Sequence, residues 1–367
     1  MYRRSLCRVL GSCLAFVAST AAVGGTVPAS APAAQIERPW AAQPTSTAIA
    51  ENKTFSNEDT RLSGTLYVPR GAKTFGVVVA LHGASSPLRS SPLYEHLKQV
   101  LPPLGFAVFV YDRRGTGQSA GASNTGDFEL LADDAVAAIQ ALKKDPRIDP
   151  KRIGVWGLSQ GGWLAPLAAT RSSDVRFVVA ISAPVVRADE QMMFSSTNSL
   201  RVFGYSDTDI KKMQATRKAA DDAARGRDTR EHAQQLIDEN SGEPWYKYLY
   251  MGKSVSDRGL AAWAKEMSND PMDVIKRVNV PMLVLYGAVD PVVPVALSRE
   301  RLKAIEPGHP NMKVDVIADA DHSMQIGVDP KRLLDPDEAD TASPNSAEYF
   351  ATLGSWLTQI GVASAPL

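Results

Sequence analysis

Apolar residues enter this chain in short blocks separated by stretches of a different period. The blocks lie at residues 75–81, 106–111, 153–156, 177–181, 282–286 and 312–317, and the first reads Phe75-Gly76-Val77-Val78-Val79-Ala80-Leu81. Strands that are apolar on both faces belong in a parallel sheet covered by helices on each side. The stretches between them supply those helices. Leu93, Leu97, Val100 and Leu101 share a helical face. Asp127 is placed to cap a helix whose inner face is Leu131, Ala135, Ala138, Ile139 and Leu142. Phe350, Leu353, Leu357 and Ile360 form the stripe of the last helix. Alternating strand and helix predict an α/β class with right-handed crossovers. Before this rhythm begins, residues 54–67 alternate weakly around Ser63-Gly64 and predict one or two antiparallel edge strands.

The rhythm breaks once. Residues 183–279 contain no strong parallel strand and are rich in charge and helix formers. Within them, Ser206-Asp207-Thr208-Asp209 reads as a capping box for a helix through Ile210, Met213, Arg217 and Ala220. This segment is expected to be a helical cap over the C-terminal edge of the sheet. The mostly parallel sheet and its flanking helices would then be built from residues 51–182 and 280–367, with 35–50 as a linker.

Residues 1–34 stand outside that scheme. Arg3, Arg4 and Arg8 are basic, residues 9–23 are apolar and small, and Ala31 and Ala33 offer Ala-x-Ala cleavage options, as in a secretory signal. Gly11, Ser12, Ser19 and Thr20 make a poor membrane anchor, and the run is short of the ~20 apolar residues that a span needs. The protein is therefore expected to be exported, periplasmic or extracellular, with no stable membrane insertion after cleavage. Arg3-Arg4 is a weaker fit to the twin-arginine route. Leu10-Gly11-Ser12-Cys13 resembles a lipobox, which makes lipid anchoring at Cys13 a minority reading. Cys7 and Cys13 are the chain's 2 cysteines, so the mature protein has no disulfide, thiol nucleophile or thiolate metal site. Across the whole chain 40 basic and 40 acidic residues cancel, and no like-charge block points to nucleic acid or an anionic membrane surface.

The chemistry is carried by Gly157-Leu158-Ser159-Gln160-Gly161, which follows the block at 153–156 and precedes the helix-like run 163–169. This is Gly-x-Ser-x-Gly in strand–turn–helix context, a nucleophile elbow. A sharp turn lifts the hydroxyl above the start of a helix, and small neighbours two positions away let strand and helix approach. A serine hydroxyl is a weak nucleophile that needs a base, and the base needs an orienting acid. Behind such an elbow the partners follow in the order Ser, Asp or Glu, His. Asp290 lies just after 282–286, in Gly287-Ala288-Val289-Asp290-Pro291. His322 lies shortly after 312–317, in Asp319-Ala320-Asp321-His322. Both sit at C-terminal strand ends, on the edge that carries Ser159. Asp319 and Asp321 are too close to His322 on its own loop to orient it from the opposite side. Of the other histidines, His82 ends a different strand and His96 lies on a surface-type helix. His232 is in the cap, and His309 precedes its strand. His82-Gly83-Ala84 follows the first block, where one oxyanion donor is expected, so the backbone amides of Ala84 and Gln160 are assigned to an oxyanion hole. His82 itself is read as structural.

Together, His82-Gly83, Asp112-Arg113-Arg114-Gly115-Thr116-Gly117-Gln118-Ser119, Gly157 to Gly161, Gly287 to Pro291 and Asp321-His322 resemble the α/β-hydrolase superfamily. The branch resembled holds capped serine esterases and serine peptidases of the prolyl oligopeptidase and aminopeptidase kind. The resemblance runs from about residue 60 to 361 and is interrupted by the cap. It implies the α/β-hydrolase fold and a two-step acyl transfer without metal or cofactor. Asp112 to Ser119 resembles the family's loop after its next strand, with Arg113 and Arg114 expected in internal ion pairs. The substrate is expected to be a small-molecule ester or a short peptide, and esterase is favoured over peptidase. In the cap, Trp245, Tyr246 and Trp263 are candidates for an apolar substrate pocket, with Tyr248, Tyr250, Met192, Met193 and Phe194 nearby; the alternative is that they pack the cap onto the sheet. Asp189 and Glu190 are a solvated helix start or the acids that would hold an amine terminus. A non-catalytic binding module on the same fold is the reading against which the enzyme stands.

Overall fold

The apolar blocks pair into one eight-stranded sheet in the order β1-β2-β4-β3-β5-β6-β7-β8. The computed structural model describes residues 48–123 and 126–363. The expected signal segment and nearly all of the expected linker lie outside the described residues. The strands are β1 Ala48–Asn57, β2 Thr60–Pro69, β3 Phe75–Leu81, β4 Phe106–Tyr111, β5 Ile148–Leu158, β6 Phe177–Ile181, β7 Met282–Gly287 and β8 Met312–Ile317. β1 and β2 form an antiparallel pair, and β2 joins β4 antiparallel. All remaining neighbours are parallel. β1 starts earlier than expected, so Ala48, Ile49 and Ala50 belong to the sheet and not to a linker. Their pairing with Pro69, Val68 and Tyr67 is what recruits them.

Helices interleave with these strands. They are α1 Leu97–Val100, α2 Phe128–Leu142, α3 Gln160–Arg171, α4 Ala188–Phe203, α5 Asp207–Ala224, α6 Arg230–Asn240, α7 Asp257–Met267, α8 Pro271–Ile275, α9 Val295–Ile305, α10 Pro330–Leu334 and α11 Ala347–Gln359. The continuous apolar strands divide their side chains between two cores. Val77, Val79 and Leu81 of β3 join α2 and α3 residues such as Leu131, Ile139 and Leu164 on one face. Val78 and Ala80 join Leu97, Tyr349, Leu353 and Trp356 on the other. Each face therefore buries apolar surface worth roughly 25 cal/mol per Å² removed from water. Asp127 caps α2 by accepting from the Leu130 amide, and Ser206 caps α5 in a reciprocal box with Asp209. Residues 93–101 do not form one helix: a 3-10 turn Pro92–Tyr94 precedes the four-residue α1, because Pro92, Pro102 and Pro103 bound the segment.

Between β6 and β7 the described chain is helical, from α4 to α8. This segment has its own small core, with Leu200, Ile210, Met213, Ile237, Trp245 and Leu249 at its centre. The strand order reverses around β3, whose parallel neighbours are β4 on one side and β5 on the other. Ligands of open α/β sheets bind outside the carboxyl ends of the strands at such a reversal. The loops after β3 and β5 meet there.

His96 is not on a surface. It is buried, and its Nε2 meets the Tyr349 hydroxyl at 3.0 Å, which also accepts from the Trp156 indole at 3.1 Å. Burial lowers its pKa from 6.5 to about 4 against an opposing backbone hydrogen bond at Leu93. The unfolded chain therefore binds this proton first as pH falls, so the contribution to stability is present above 6.5 and is lost toward about 4. In His96→Gln, the unfolding free energy should fall less steeply over that window, by up to ~1.4 kcal/mol per pH unit. Urea unfolding curves from pH 7 to 4 measure this, and parallel pH dependences in the two proteins would contradict it.

Candidate active site

β5 ends at Leu158 and α3 begins at Gln160, leaving Ser159 alone on the turn with φ 57° and ψ −115°. A non-glycine residue in this region carries strain of order 1–3 kcal/mol and persists only when its surroundings enforce it. Here the enforcement is visible. The Ser159 amide donates to Ile181 O of β6 at 2.8 Å, and the Gly162 amide donates to Ser159 O at 2.8 Å. A Cβ on Gly157 would overlap the carbonyl oxygen of Gly161, and one on Gly161 would overlap that of Leu81. Only glycine permits β5, α3 and β3 to approach this closely. The half-buried Ser159 side chain sits at the N-terminus of α3, where developing negative charge is favoured.

His322 follows β8 on a loop tied by Asp321. The Asp321 amide donates to Gln325 O at 2.8 Å, and its Oδ1 accepts the amides of Ser323 and Gln325, each at 2.8 Å. Asp321 thus closes its own turn, while Asp319 accepts the Ser346 hydroxyl at 2.6 Å. The carboxylate that meets the imidazole is Asp290, with Oδ2 2.9 Å from His322 Nδ1. Its other oxygen accepts the amides of Val292 at 2.7 Å and Val293 at 3.2 Å. The Asp290 side chain is 0% exposed and that of His322 12%, so the pair is shielded from water. Burial pulls the imidazole pKa down. The charge of Asp290 and its hydrogen bond outweigh this, with help from Asp321 and Asp340, and the net displacement is above 6.5. With Nδ1 engaged by the carboxylate, Nε2 is left to accept a proton.

The loop after β3 is held from two directions. The Gly83 amide donates to the Tyr94 hydroxyl at 3.3 Å, and that hydroxyl donates to Ser86 O at 2.8 Å. His82 is buried with its pKa lowered to about 3, chiefly by desolvation and then by the charge of Arg113, so it is neutral at pH 7. Arg114 makes the expected internal ion pair, Nε to Asp134 Oδ2 at 3.0 Å and Nη2 to Oδ1 at 2.5 Å. Arg113 does not. Its guanidinium is held by backbone carbonyls instead of a carboxylate.

A cavity of about 690 Å³ opens over these elements, and Ala84, Ser159, Gln160 and His322 all line it. Its opposite wall comes from the helical segment and is mostly apolar, with Met192, Ile237, Tyr250, Met251, Leu260 and Trp263. Trp245 and Tyr246 are not on this wall, which corrects the expectation for both. The 3-10 turn Pro244–Leu249 carries them inward, leaving Trp245 1% and Tyr246 5% exposed in the segment's own core. Trp263 is on the wall; its indole donates to Asp221 at 2.7 Å and lies 5.0 Å from the Arg217 guanidinium. Asp189 and Glu190 are also elsewhere: Asp189 pairs with Arg225 at 2.7 Å, and Glu190 with Arg301 at 3.3 Å. Two carboxylates that the sequence did not single out, Glu266 and Asp340, also line the cavity. No pattern marks them, because their role depends on how distant segments fold over the sheet. Among the described residues, no group of three or more His, Cys, Asp or Glu side chains is placed to hold a metal ion, and no helix is long and apolar enough to cross a membrane.

Comparison with known proteins agrees with this architecture. The chain is 24% identical over 271 residues to the esterase EstD of Thermotoga maritima, covering 72% of this chain and 58% of that protein. It is 34% identical over 125 residues to the uncharacterized peptidase YuxL of Bacillus subtilis, covering 32% of this chain and 19% of that protein. In both cases the chain spans less than two thirds of the curated relative. Among solved structures, an esterase of Pyrococcus furiosus superposes with a TM-score of 0.54 at 19% identity, covering 85% of this chain and 92% of that one, which is a likeness of fold. The model of the family described as serine aminopeptidase, S33, matches residues 72–326, more than half of the chain. That match takes in the β3 loop, the Ser159 turn and the His322 loop, and the chain belongs to this family of α/β hydrolases.

Proposed function

We propose that this hydrolase cleaves carboxylic esters through an acyl-enzyme on Ser159. The observation that carries the reading is the shielded Asp290–His322 pair, 2.9 Å apart, whose imidazole lines the same cavity as a serine held at a strained strand-to-helix turn. His322 Nε2 takes the Ser159 proton as Oγ attacks the ester carbonyl, which requires the two atoms to come within ~2.6–3.2 Å. Asp290 stabilises the imidazolium that forms. The amides of Ala84 and Gln160 receive the oxyanion, the alcohol leaves with the proton from His322, and water then releases the acid with His322 again as base. The helical segment 183–279 serves as a cap that closes the cavity.

The mostly apolar wall supports an ester with an apolar acyl or alcohol group. The names of EstD and the Pyrococcus furiosus protein point the same way. A peptidase reading has its own support in the serine aminopeptidase description of the family and the name of YuxL, and in the Glu266 carboxyl on the cavity wall, which burial raises to about 7 against the opposing charge of Arg217 and which an amine would meet in its ionised form. Asp189 and Glu190, already paired with arginines, do not add to it.

Ser159→Ala should lower p-nitrophenyl ester turnover by at least about 10³-fold while the fold is kept. Equal turnover by both proteins would remove the assignment. On the wild type, the ratio of kcat/KM for acyl esters to that for aminoacyl p-nitroanilides should exceed one for an esterase, and a ratio below one favours the peptidase.

His322 must be neutral to act as base, and its pKa is held above 6.5, so kcat/KM should rise with pH through an inflection above that value. Asp290→Asn removes the main upward influence. The inflection should move down and kcat should fall by about 10⁴-fold. An inflection that stays in place would separate Asp290 from the titrating base.

Trp263→Ala opens the cavity wall and should raise KM for a bulky ester by about tenfold or more, while loss of its hydrogen bond to the buried Asp221 costs about 1–3 kcal/mol of stability. Trp245→Ala should instead cost about 3–5 kcal/mol of stability, because it empties the cap core. Steady-state kinetics paired with thermal melting distinguish the two, and the reverse pattern would overturn this placement of the tryptophans.

A further inference from the structure

One guanidinium holds three successive backbone carbonyls of the loop after β3. Arg113 Nη2 donates to His82 O at 3.3 Å and to Gly83 O at 2.6 Å, and Nη1 donates to Ala84 O at 3.1 Å. Arg113 is 2% exposed, and among the described residues it forms no ion pair with a carboxylate. A buried cation without a counter-ion is costly unless its surroundings solvate it. Here the solvating groups are the carbonyl dipoles of the loop that borders the cavity.

The geometry of the trans peptide turns this anchoring into a statement about the site. In a trans peptide the N–H of one residue points opposite to the C=O of the residue before it. With Gly83 O drawn onto Arg113, the Ala84 N–H is directed away from Arg113. Ala84 lines the cavity together with Ser159, and among the described residues its N–H has no acceptor. The adjacent Gly83 N–H is occupied by Tyr94, so it does not compete for the same role. The loop is thereby held in place before any substrate arrives.

We infer that Arg113 is a positioning residue for the acyl-transfer step: it orients the Ala84 amide toward the developing oxyanion and places a buried positive charge behind that amide. This rests on the reading of Ser159 as the nucleophile. The fork geometry matters as well as the charge, because a lysine ammonium presents no planar pair of donors to adjacent carbonyls. A residue that only anchored the loop would move stability or KM. A residue that orients an oxyanion donor moves kcat and the affinity for a tetrahedral adduct together.

The test uses the full-length protein with Arg113→Met and Arg113→Lys, a p-nitrophenyl ester, and an aryl trifluoromethyl ketone whose serine adduct carries an oxyanion. For Arg113→Met, kcat should fall by at least about tenfold while KM changes by less than about threefold. The inhibition constant of the ketone should rise by the same factor as kcat falls, with Arg113→Lys intermediate. The inference is overturned if kcat and the ketone constant stay within about threefold of wild type in both variants, or if KM rises as much as kcat falls. If Arg113→Met does not melt cooperatively, the same two ratios for Arg113→Lys decide the matter. Ser159→Ala in the same assay separates the failures. Full turnover there removes the nucleophile itself, whereas its silence beside undiminished Arg113 variants removes only the role of Arg113.

Discussion

The backbone reversal at Ser159 is the constraint on which the site depends. It puts a serine at φ 57°, a conformation that side-chain sterics oppose, and it survives because three elements close on it at once. β5 is held in the sheet between β3 and β6, α3 packs its apolar face on the same core, and the two flanking glycines let backbone meet backbone. Relaxing the turn would mean pulling β5 from its neighbours or lifting α3 from the core. A hydroxyl at that place has a fixed direction and lies above a helix start, where the local field favours negative charge.

The remaining polar groups are arranged around that fixed point, each held by backbone hydrogen bonds. Asp290 divides its two oxygens between amides of its own loop and the imidazole of His322. Asp321 turns its carboxylate onto its own loop and so sets where His322 emerges from β8. Arg113 and Tyr94 do the same for the loop after β3. These devices come from widely separated stretches of sequence. They converge because parallel strands all end on one edge, and the order of strands reverses next to β3 and β5. The helical segment between β6 and β7 then supplies a wall on which an apolar substrate would rest.

Much of this was legible in the sequence for a physical reason. A strand buried on both faces must be apolar throughout, so β3, β4 and β6 stand out as blocks, and Gly-x-Ser-x-Gly marks a turn that leaves no room for side chains at its two glycines. Caps were equally readable, since Asp127 and Ser206 act on amides only a few residues away. Interactions decided by distant packing were not. Trp245 and Trp263 look alike in a helical segment, yet one fills a core and the other borders the cavity. His96 sits among polar and apolar neighbours that suggest a surface, but α11 covers it through Tyr349. Arg113 suggested an ion pair because carboxylates can be counted in a sequence, whereas the backbone carbonyls that hold it cannot.

The central claim is that one particular hydroxyl is chemically activated. Treatment with a fluorophosphonate, followed by mass spectrometry of the digested protein, tests it most directly. The account predicts a single adduct on Ser159, formed faster as pH rises through the titration of His322. An adduct on another residue, or none under conditions in which the protein is folded, would contradict it.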